Sequence, residues 1–405
     1  MKRTCLSKTF CVVMRKIIYM DNAATTKPIE KTAEIMAKFL SEQFGNPSSI
    51  YALGRSARKE IEKARAIVAD LLGALPREIF FTSGGTESNN WAIRGVMHQQ
   101  LKKGKNHIIT SKIEHHSVLN TVEWLAGEGF EVTYLNVDKN GFVDPQDVKN
   151  SIKENTAMVS IMYANNEIGT IQPIEEIGKI CKEKGVIFHT DAVQAAGHIN
   201  IDVKSQHIDL LSLSAHKFGG IKGVGVLYVR KGIRIANLMQ GGGQESNKRP
   251  GTENVGGIVS LAKALELSLE NREEKNFTLA RKRDRLIEGL LQIERSRLNG
   301  DDKKRLPGNV NVCFEGIEGE SLLLLLDAAG ICASSGSACT SGALDPSHVL
   351  LAIGLPHEIA HGSLRLSLEV SNTDEEIEYT IKEVTKAVKR LRDMSPLWEK
   401  IIKNK

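Results

Sequence analysis

The chain has 405 residues, of which 41% are hydrophobic and 25% are charged. These fractions are typical of a globular protein and exclude a disordered or fibrous chain, and the length is sufficient for two domains. The net charge of +5 results from 54 basic and 49 acidic residues that are spread along the whole chain. Nucleic-acid binding usually needs a concentrated basic patch, so we expect no nucleic-acid partner.

Cysteine content and hydropathy argue against disulfide-rich, metal-binding and membrane proteins. The six cysteines include no CxxC pair, so they predict neither a disulfide framework nor a zinc site. We therefore expect a reducing, cytoplasmic location. The longest apolar run in the C-terminal half covers residues 322–326, which is far shorter than the roughly 20 residues that span a bilayer, so no membrane association is expected.

The first sixteen residues are basic and contain no acidic residue. This composition is similar to that of a transit peptide, but the apolar stretch is too short for a secretory signal. Met14 could equally be the start of the protein. Residues 1–16 are therefore either an organellar leader or an extended N-terminus, and we favour the second.

Apolar runs that resemble strands alternate with helical patterns between residues 79 and 230. The runs are IFFTS (79–83), HIITS (107–111), VTYLNV (132–137), MVSIMY (158–163), VIFHTD (186–191), DLLSLSA (209–215) and VGVLYV (224–229). Such alternation predicts an α/β fold with a mainly parallel sheet and helices on both of its faces. Ligands of such sheets bind at the carboxyl ends of the strands, so polar residues directly after these runs are the candidates for chemistry.

The C-terminal part has a different pattern, which predicts a second, smaller α+β domain. Helical patterns cover about residues 258–294 and 374–393, and NVNVCF and GSLRLSL are strand candidates. Thr373 and Glu376 predict a capping box at the start of the last of these helices. The densest basic run, residues 281–285, lies in a helical stretch, and we interpret it as a solvated helix face.

Lys217 and Asp191 stand at the ends of two successive strand candidates. A lysine that is desolvated at a strand end is held as the free amine, which forms a Schiff base with an aldehyde cofactor. By itself, a lysine in this place is more often a surface residue. A carboxylate at the neighbouring strand end can pair with a protonated pyridine nitrogen, as a pyridoxal cofactor requires. Together the two residues predict a pyridoxal-phosphate site.

Two further features are consistent with such a site. Gly84 and Gly85 lie between IFFTS and a helix predicted to begin near Glu87, where backbone amides and the helix dipole favour a phosphate. A tight strand-to-helix turn would also explain them, since the GxGxxG and GK[ST] signatures are absent. His115 follows HIITS, where an imidazole can stack on a flat ring and transfer protons, although a lone histidine is more often structural.

Cys339 lies within SSGSACTSG, a stretch of small and polar residues that predicts an exposed loop. An accessible thiol that reaches an electropositive site can act as a thiolate nucleophile, whereas buried structural cysteines are inert. Cys313 and Cys332 have apolar neighbours and Cys181 lies in a helical pattern, so we interpret these three as core residues.

Ten motifs occur together in one order. They are DNAATT, FGNPSS, FTSGGTESNN, EHHSVLN, NNEIGT, TDAVQ, SAHK, RPGTEN, SSGSACTSG and SLRLSL. From about Tyr19 to Trp398 the chain thereby resembles the cysteine desulfurases, which belong to the class-V aminotransferases and the fold type I pyridoxal enzymes. The resemblance implies a large cofactor-binding domain over residues 17–265 with a mainly parallel seven-stranded sheet. It also implies a small domain over residues 266–405, against which the N-terminal segment packs.

The resemblance assigns cofactor contacts to ten positions. They are Lys217 (the Schiff-base lysine), Asp191 (the pyridine nitrogen), Gln194 (the ring hydroxyl), His115 (ring stacking), Asn166 (near the ring) and, around the phosphate, Gly85, Thr86, Ser214, His216 and Thr252 of a second subunit. The last assignment implies a homodimer. Arg365 matches the arginine that binds the substrate carboxylate, with Asn166 beside it; a planar guanidinium suits this contact better than a lysine.

The activity implied is removal of sulfur from L-cysteine, which leaves L-alanine and a persulfide on Cys339. Lys217, Cys339 and His115 are the catalytic residues, and His115 is a candidate acceptor for the thiol proton. The sulfur would pass to an iron–sulfur scaffold protein or another acceptor. No metal site is expected, apart from transient binding of a cluster by Cys339. The loop is of the family's longer type, and the sequence stops soon after SPLWEK, which puts docking of a scaffold through an extended tail in doubt.

Two alternatives remain at this stage. One is an enzyme of the same fold with other chemistry, such as an aminotransferase or a selenocysteine lyase. The other is a non-catalytic partner in cluster assembly. Cys339 argues against transamination, which needs no such thiol, and the complete set of cofactor residues would be superfluous in a binding protein.

Overall fold

A computed structural model of the chain describes residues 17–335 and 346–403. Its strands are β1 (Ile18–Tyr19), β2 (Ile79–Thr82), β3 (His107–Ser111), β4 (Glu131–Leu135), β5 (Thr156–Ser160), β6 (Ile187–Asp191), β7 (Leu210–Ser214), β8 (Gly225–Val229), β9 (Ser296–Leu298), β10 (Asn309–Phe314), β11 (Ile331–Cys332) and β12 (Ser363–Ser367). Its helices are α1 (Glu30–Ser41), α2 (Ala52–Leu71), α3 (Gly85–Leu101), α4 (His116–Gly127), α5 (Pro145–Ser151), α6 (Ile174–Lys184), α7 (Gln244–Asn247), α8 (Val255–Leu269), α9 (Arg272–Leu290), α10 (Gly319–Ala328), α11 (His348–Ala352), α12 (His357–Ala360), α13 (Asp374–Asp393) and α14 (Pro396–Lys403).

The predicted α/β fold is confirmed, with a central seven-stranded sheet in the order β2-β8-β7-β6-β5-β3-β4. Only β8 runs antiparallel to its two neighbours, and the other pairings are parallel. Every residue of β3, β5, β6, β7 and β8 is buried, because helices cover both faces of the sheet. This burial explains why those strands are continuous apolar runs rather than alternating ones.

Each predicted run contains a strand, but MVSIMY extends beyond its strand. β5 ends at Ser160, although the amides of Ile161 and Tyr163 still donate to the carbonyls of His189 and Asp191 on β6. The chain beyond Ser160 therefore follows the edge of β6 toward the carboxyl end of the sheet. This path brings the NNEIGT motif to the place where ligands of such sheets bind.

A second core contains β10, β12 and helices α9, α10 and α13. Strand β1 pairs with β11, and Ile18 and Met20 belong to this second core, so the N-terminal segment packs against it. Helix α8 packs in the first core and α9 in the second. We propose that the division between the large and small domains lies between these two helices. Within the described ranges, none of the helices is both long and apolar enough to cross a membrane.

The predicted helical stretch 258–294 is two helices rather than one. The chain turns at Asn271, whose φ of 49° is left-handed and cannot continue an α-helix. The capping box at Thr373 and Glu376 is confirmed. The solvated face predicted for residues 281–285 is only half right: Arg281 is exposed, whereas Lys282 is buried and donates to backbone carbonyls at the start of α13.

The loop that carries the RPGTEN motif is fixed by buried charges. The residues of α7 after Gln244 have positive φ values, and they place the Glu245 carboxylate against Arg65 of α2 at 2.7 and 2.8 Å. Glu245 also accepts the amide of Phe81 at 2.9 Å. Further along, Arg249 donates to Glu87 at 2.8 and 3.0 Å. The loop is thereby tied to β2 and to the first turn of α3.

Glu245→Ala should lower the free energy of unfolding by about 3–5 kcal/mol, because it leaves the Arg65 guanidinium buried without its partner. Urea unfolding followed by circular dichroism measures this loss. The control is Lys31→Ala, which removes a pair with Glu34 in which both side chains are exposed and should cost less than about 1 kcal/mol. Equal losses in the two variants would contradict the structural role of Glu245.

Candidate active site

A cavity of about 410 Å³ lies at the carboxyl ends of β3, β5, β6 and β7. Ten of the twelve residues predicted for the site line it together. They are Gly85, Thr86, His115, Asn166, Asp191, Gln194, Ser214, His216, Lys217 and Arg365. Of the other two, Thr252 is exposed and does not line this cavity, and Cys339 lies outside the described residues.

Asp191, the last residue of β6, is buried and held in place by two donors. Asn89 Nδ2 donates to Oδ2 at 2.7 Å, and the amide of Val193 donates to Oδ1 at 3.0 Å. Both oxygens are therefore oriented before any ligand binds. A fixed carboxylate at the cavity wall is the group that a pyridine nitrogen requires.

Gly84 and Gly85 form a cradle at the start of α3. Gly84 has a φ of 153°, a conformation that is essentially restricted to glycine. A Cβ atom on Gly85 would come within 2.7 Å of Val193 Cγ2. The first-turn amides of a helix have no acceptor within the helix and attract anions. The helix begins two residues earlier than predicted, which places Thr86 within this first turn.

Lys217 lies in the short 3-10 turn that follows β7. Its Nζ donates to the carbonyls of Ala23 and Ala24 at 2.6 and 2.7 Å. Gln194 Nε2 donates to the same Ala23 carbonyl at 3.0 Å. The DNAATT motif thus supplies backbone acceptors that direct two predicted cofactor residues, a role that no pattern in the sequence indicates.

His115 belongs to a chain of hydrogen bonds that reaches Asp191. Its Nδ1 lies 2.8 Å from Ser117 Oγ and accepts the Ser117 amide at 3.1 Å. Asn89 Nδ2 donates to Ser117 Oγ at 2.8 Å and also to Asp191. Because Nδ1 accepts an amide hydrogen, the neutral ring carries its proton on Nε2. Burial lowers the pKa of His115 below the usual value, although Asp191 opposes this shift.

His216 is also neutral at physiological pH. Burial and the nearby Lys217 and Lys222 ammonium groups lower its pKa to about 4. Its Nδ1 lies 3.2 Å from Thr25 Oγ1. A neutral ring that carries one N–H can donate a hydrogen bond to a phosphate.

Arg365, on β12 in the second core, is almost completely buried. Its Nη2 donates to Asp21 Oδ1 at 2.9 Å and its Nη1 to the Asn166 carbonyl at 3.2 Å. Among the described residues its Nε finds no acceptor. An orphaned, buried donor at a cavity wall is suited to an anionic ligand, as expected for a residue that binds a carboxylate.

Two buried glutamates that the sequence did not single out lie at the cavity: Glu167 lines it, and Glu114 directly precedes the lining residue His115. Burial raises the pKa of Glu114 to about 8 and that of Glu167 to about 7. Glu114 accepts Ser111 Oγ at 2.6 Å and the Met162 amide at 2.9 Å. Glu167 accepts a short hydrogen bond from Ser347 Oγ. Their position in the sequence could have indicated them, because Glu114 directly precedes His115 and Glu167 directly follows Asn166.

The residues present fit pyridoxal phosphate. The fixed Asp191 carboxylate suits the ring nitrogen, the glycine cradle of α3 leaves room for an anion that a Cβ would fill, and Lys217 lies on the same cavity wall. Among the described cysteines, Cys181 and Cys313 are buried as predicted, while Cys332 is half-buried. The described part of the chain contains no cluster of side chains suited to a metal ion.

Comparisons with known proteins agree with this geometry. Residues 18–380 match the family "Aminotransferase class-V". The chain is 57% identical to "Cysteine desulfurase IscS" of Clostridium botulinum over 97% of this chain and 99% of that protein. The structure resembles a "NifS-like protein", with a TM-score of 0.88, 40% identity and coverage of 93% and 100%. It also resembles "SspA in complex with cysteine", with a TM-score of 0.78, 39% identity and coverage of 88% and 100%.

Glu114→Gln should reduce the pH dependence of stability between about pH 5 and 8. With a folded-state pKa raised from 4.5 to about 8, the native state binds more protons than the unfolded state in this window, so stability falls as pH rises. Glutamine removes this titration. We expect the melting temperature of the unaltered protein to decline more steeply over this range than that of the variant. Parallel declines would show that Glu114 does not retain its proton.

Proposed function

This chain belongs to the class-V aminotransferase family and is a pyridoxal-phosphate-dependent cysteine desulfurase, and we propose that Lys217 holds the cofactor while Cys339 accepts the sulfur. The single observation that supports the assignment of residues is the convergence of Lys217, Asp191 and Arg365 on one cavity. The first supplies the amine, the second the partner of the ring nitrogen and the third the site for a substrate carboxylate.

When bound, pyridoxal phosphate supplies an aldehyde for a covalent link to an amine and a ring that accepts electrons from the substrate. Asp191 would hold the ring nitrogen, Gln194 the ring hydroxyl, and Gly85, Thr86, Ser214 and His216 the phosphate. We propose that Lys217 moves a proton at the α-carbon of L-cysteine. Its two carbonyl acceptors on Ala23 and Ala24 direct the amine while it is unlinked.

We propose that His115 stacks on the ring and donates a hydrogen bond from Nε2. As long as Nδ1 accepts the Ser117 amide, the ring cannot take up the thiol proton there. This interpretation differs from the role of proton acceptor that the sequence indicated. A cationic ring would also be opposed by the burial that lowers the pKa of His115.

In the sulfur-transfer step, one bond to the sulfur of L-cysteine forms and one breaks. The Cys339 thiolate attacks the sulfur of L-cysteine, a sulfur–sulfur bond forms and the carbon–sulfur bond breaks. The electron pair of the broken bond stays on the carbon, which takes up one proton, equal to the proton that Cys339 lost. The products are L-alanine and a persulfide on Cys339. Arg365 would hold the substrate carboxylate through this step in a bidentate contact.

Cys339→Ser should keep the visible absorption of the bound cofactor but lower L-alanine formation by more than about a thousandfold, because a hydroxyl stays protonated and is a poor nucleophile toward sulfur. Mass spectrometry after addition of L-cysteine should find an added sulfur on the Cys339 peptide of the unaltered protein. Lys217→Ala is the control: it should lose the visible band with its thiol intact. Persulfide on Cys181, Cys313 or Cys332 would contradict the assignment.

We propose that the active enzyme is a homodimer in which Thr252 binds the phosphate held by the partner subunit. Thr252 is exposed and does not line the cavity of its own chain. Near it, Glu253 pairs with Arg58 of α2 at 3.2 Å. The chain from the end of α1 to the first turn of α2 exposes apolar side chains of the kind that a dimer covers. They are Leu40, Phe44, Ile50, Tyr51 and Leu53.

A hybrid dimer of Lys217→Ala and Thr252→Ala chains should recover activity that neither homodimer has. If Thr252 acts across the interface, one of the two hybrid sites combines an intact Lys217 with an intact Thr252 and should show about the activity of one normal site. Differently tagged chains allow the hybrid to be purified and assayed. A hybrid no more active than the Thr252→Ala homodimer, or a fully active monomer by sedimentation, would contradict the shared site.

We propose that an iron–sulfur scaffold protein or another thiol acceptor receives the sulfur, and that the enzyme works in the cytoplasm. The name of the relative from Clostridium botulinum supports a role in sulfur supply. The three described cysteines are free thiols, in agreement with a reducing compartment.

A further inference from the structure

Helix α11 begins shortly after the segment that contains Cys339, and two side chains at its start bind buried glutamates. Ser347 stands eight residues after Cys339 in the sequence. Its hydroxyl donates to Glu167 Oε2, and it caps the helix by accepting the amides of Val349 and Leu350 at 3.1 and 3.3 Å. The start of this helix is therefore fixed from inside the protein.

The next residue, His348, makes a second contact to the wall of the cavity. Its Nε2 lies 3.0 Å from the Glu114 carbonyl, to which it donates. Its ring also meets that of His116 edge-to-face, with centroids 4.8 Å apart. Glu114 directly precedes His115, so this contact joins α11 to the turn that places the predicted stacking histidine.

Glu167 lies beside the predicted substrate site. It follows Asn166, whose carbonyl accepts Arg365 Nη1 at 3.2 Å. The carbonyl of Glu167 itself accepts Asn309 and Asn311 of β10 at 3.1 and 3.2 Å. Ser347 is thus bound to a residue whose backbone is held by the same strand that pairs with the Arg365 strand.

The capping of α11 by Ser347 does not by itself explain why Ser347 also contacts the buried side chain of Glu167. A serine N-cap needs only the helix amides as partners, and burying a carboxylate with one hydroxyl donor is costly unless it is well paired. A neutral side chain would complete the cap at a lower cost. The Glu167 side chain instead ties the cap to the loop after β5, a link that the helix amides do not provide.

We propose that Ser347 and Glu167 are positioning residues for sulfur transfer: their hydrogen bond fixes the start of α11 relative to Arg365 and so sets the approach of Cys339 to the substrate sulfur. This inference rests on the proposed function, in which Cys339 is the acceptor. Neither residue needs to touch the reacting atoms. Loss of the contact should therefore slow the transfer and leave the binding of L-cysteine unchanged.

The test is Ser347→Ala in the cofactor-loaded enzyme, with two readouts. The L-cysteine concentration that half-saturates the change in the cofactor spectrum should stay within about twofold of the original, whereas the first-turnover rate of persulfide formation on Cys339 should fall about tenfold or more. Asp144→Ala is the matched control, because Asp144 caps α5 by accepting the Gln146 amide at 2.8 Å and does not line the cavity. It should change neither quantity.

Glu167→Gln keeps the shape of the side chain and replaces its carboxyl group, so it tests the contact even if Ser347→Ala folds poorly. We expect persulfide formation to slow by about threefold or more. The double variant should be no slower than Ser347→Ala, as expected for two residues that act through one contact.

Three results would overturn the inference. They are persulfide formation at the original rate in both single variants, additive losses in the double variant, and a weakening of L-cysteine binding that matches the loss of rate. The proposed function fails in a different way: the unaltered enzyme would then place no sulfur on Cys339 at all.

Discussion

The arrangement of the site depends on the buried guanidinium of Arg365. It donates to the Asp21 carboxylate and to the Asn166 carbonyl, while its own backbone amide donates to Ser334 at 2.7 Å. One residue of β12 thereby holds the N-terminal segment, the loop after β5 and Ser334. Burying a cation is unfavourable unless its hydrogen bonds are satisfied. The Nε of Arg365 has no acceptor among the described residues. This is consistent with an anion bound in the cavity in addition to the Asp21 carboxylate.

A network of amide side chains makes this arrangement rigid. Asn165 accepts the amides of Glu167 and Ile168 and donates to the Ile113 carbonyl, while asparagines of β10 donate to the Glu167 carbonyl. The loop after β5 is therefore held from two sides, by the chain that follows β3 and by β10 of the second core. Buried polar groups that are fully paired define one geometry, because each alternative leaves a group unsatisfied. Arg365 and Lys217 are linked through the DNAATT segment, because Arg365 donates to Asp21 and Lys217 donates to the carbonyls of Ala23 and Ala24.

The electrostatics of the cavity come from fixed dipoles as much as from charges. Burial lowers the pKa of His216 to about 4, so its ring is neutral while the cavity holds no ligand. Arg249 is paired with Glu87, which reduces its field at the same place. The amides at the start of α3 are then the main attraction for an anion.

The sequence by itself determined the central sheet and most of the candidate site. Buried parallel strands are continuous apolar runs, and polar residues at their carboxyl ends, such as Asp191 and Lys217, are visible without coordinates. Only the tertiary structure decided which groups orient those residues. The acceptors of Lys217 are backbone carbonyls 193 and 194 residues away along the chain, and the contact of Ser347 with Glu167 spans 180 residues. Neither periodicity nor composition encodes such pairs, because they depend on how separate elements meet after folding.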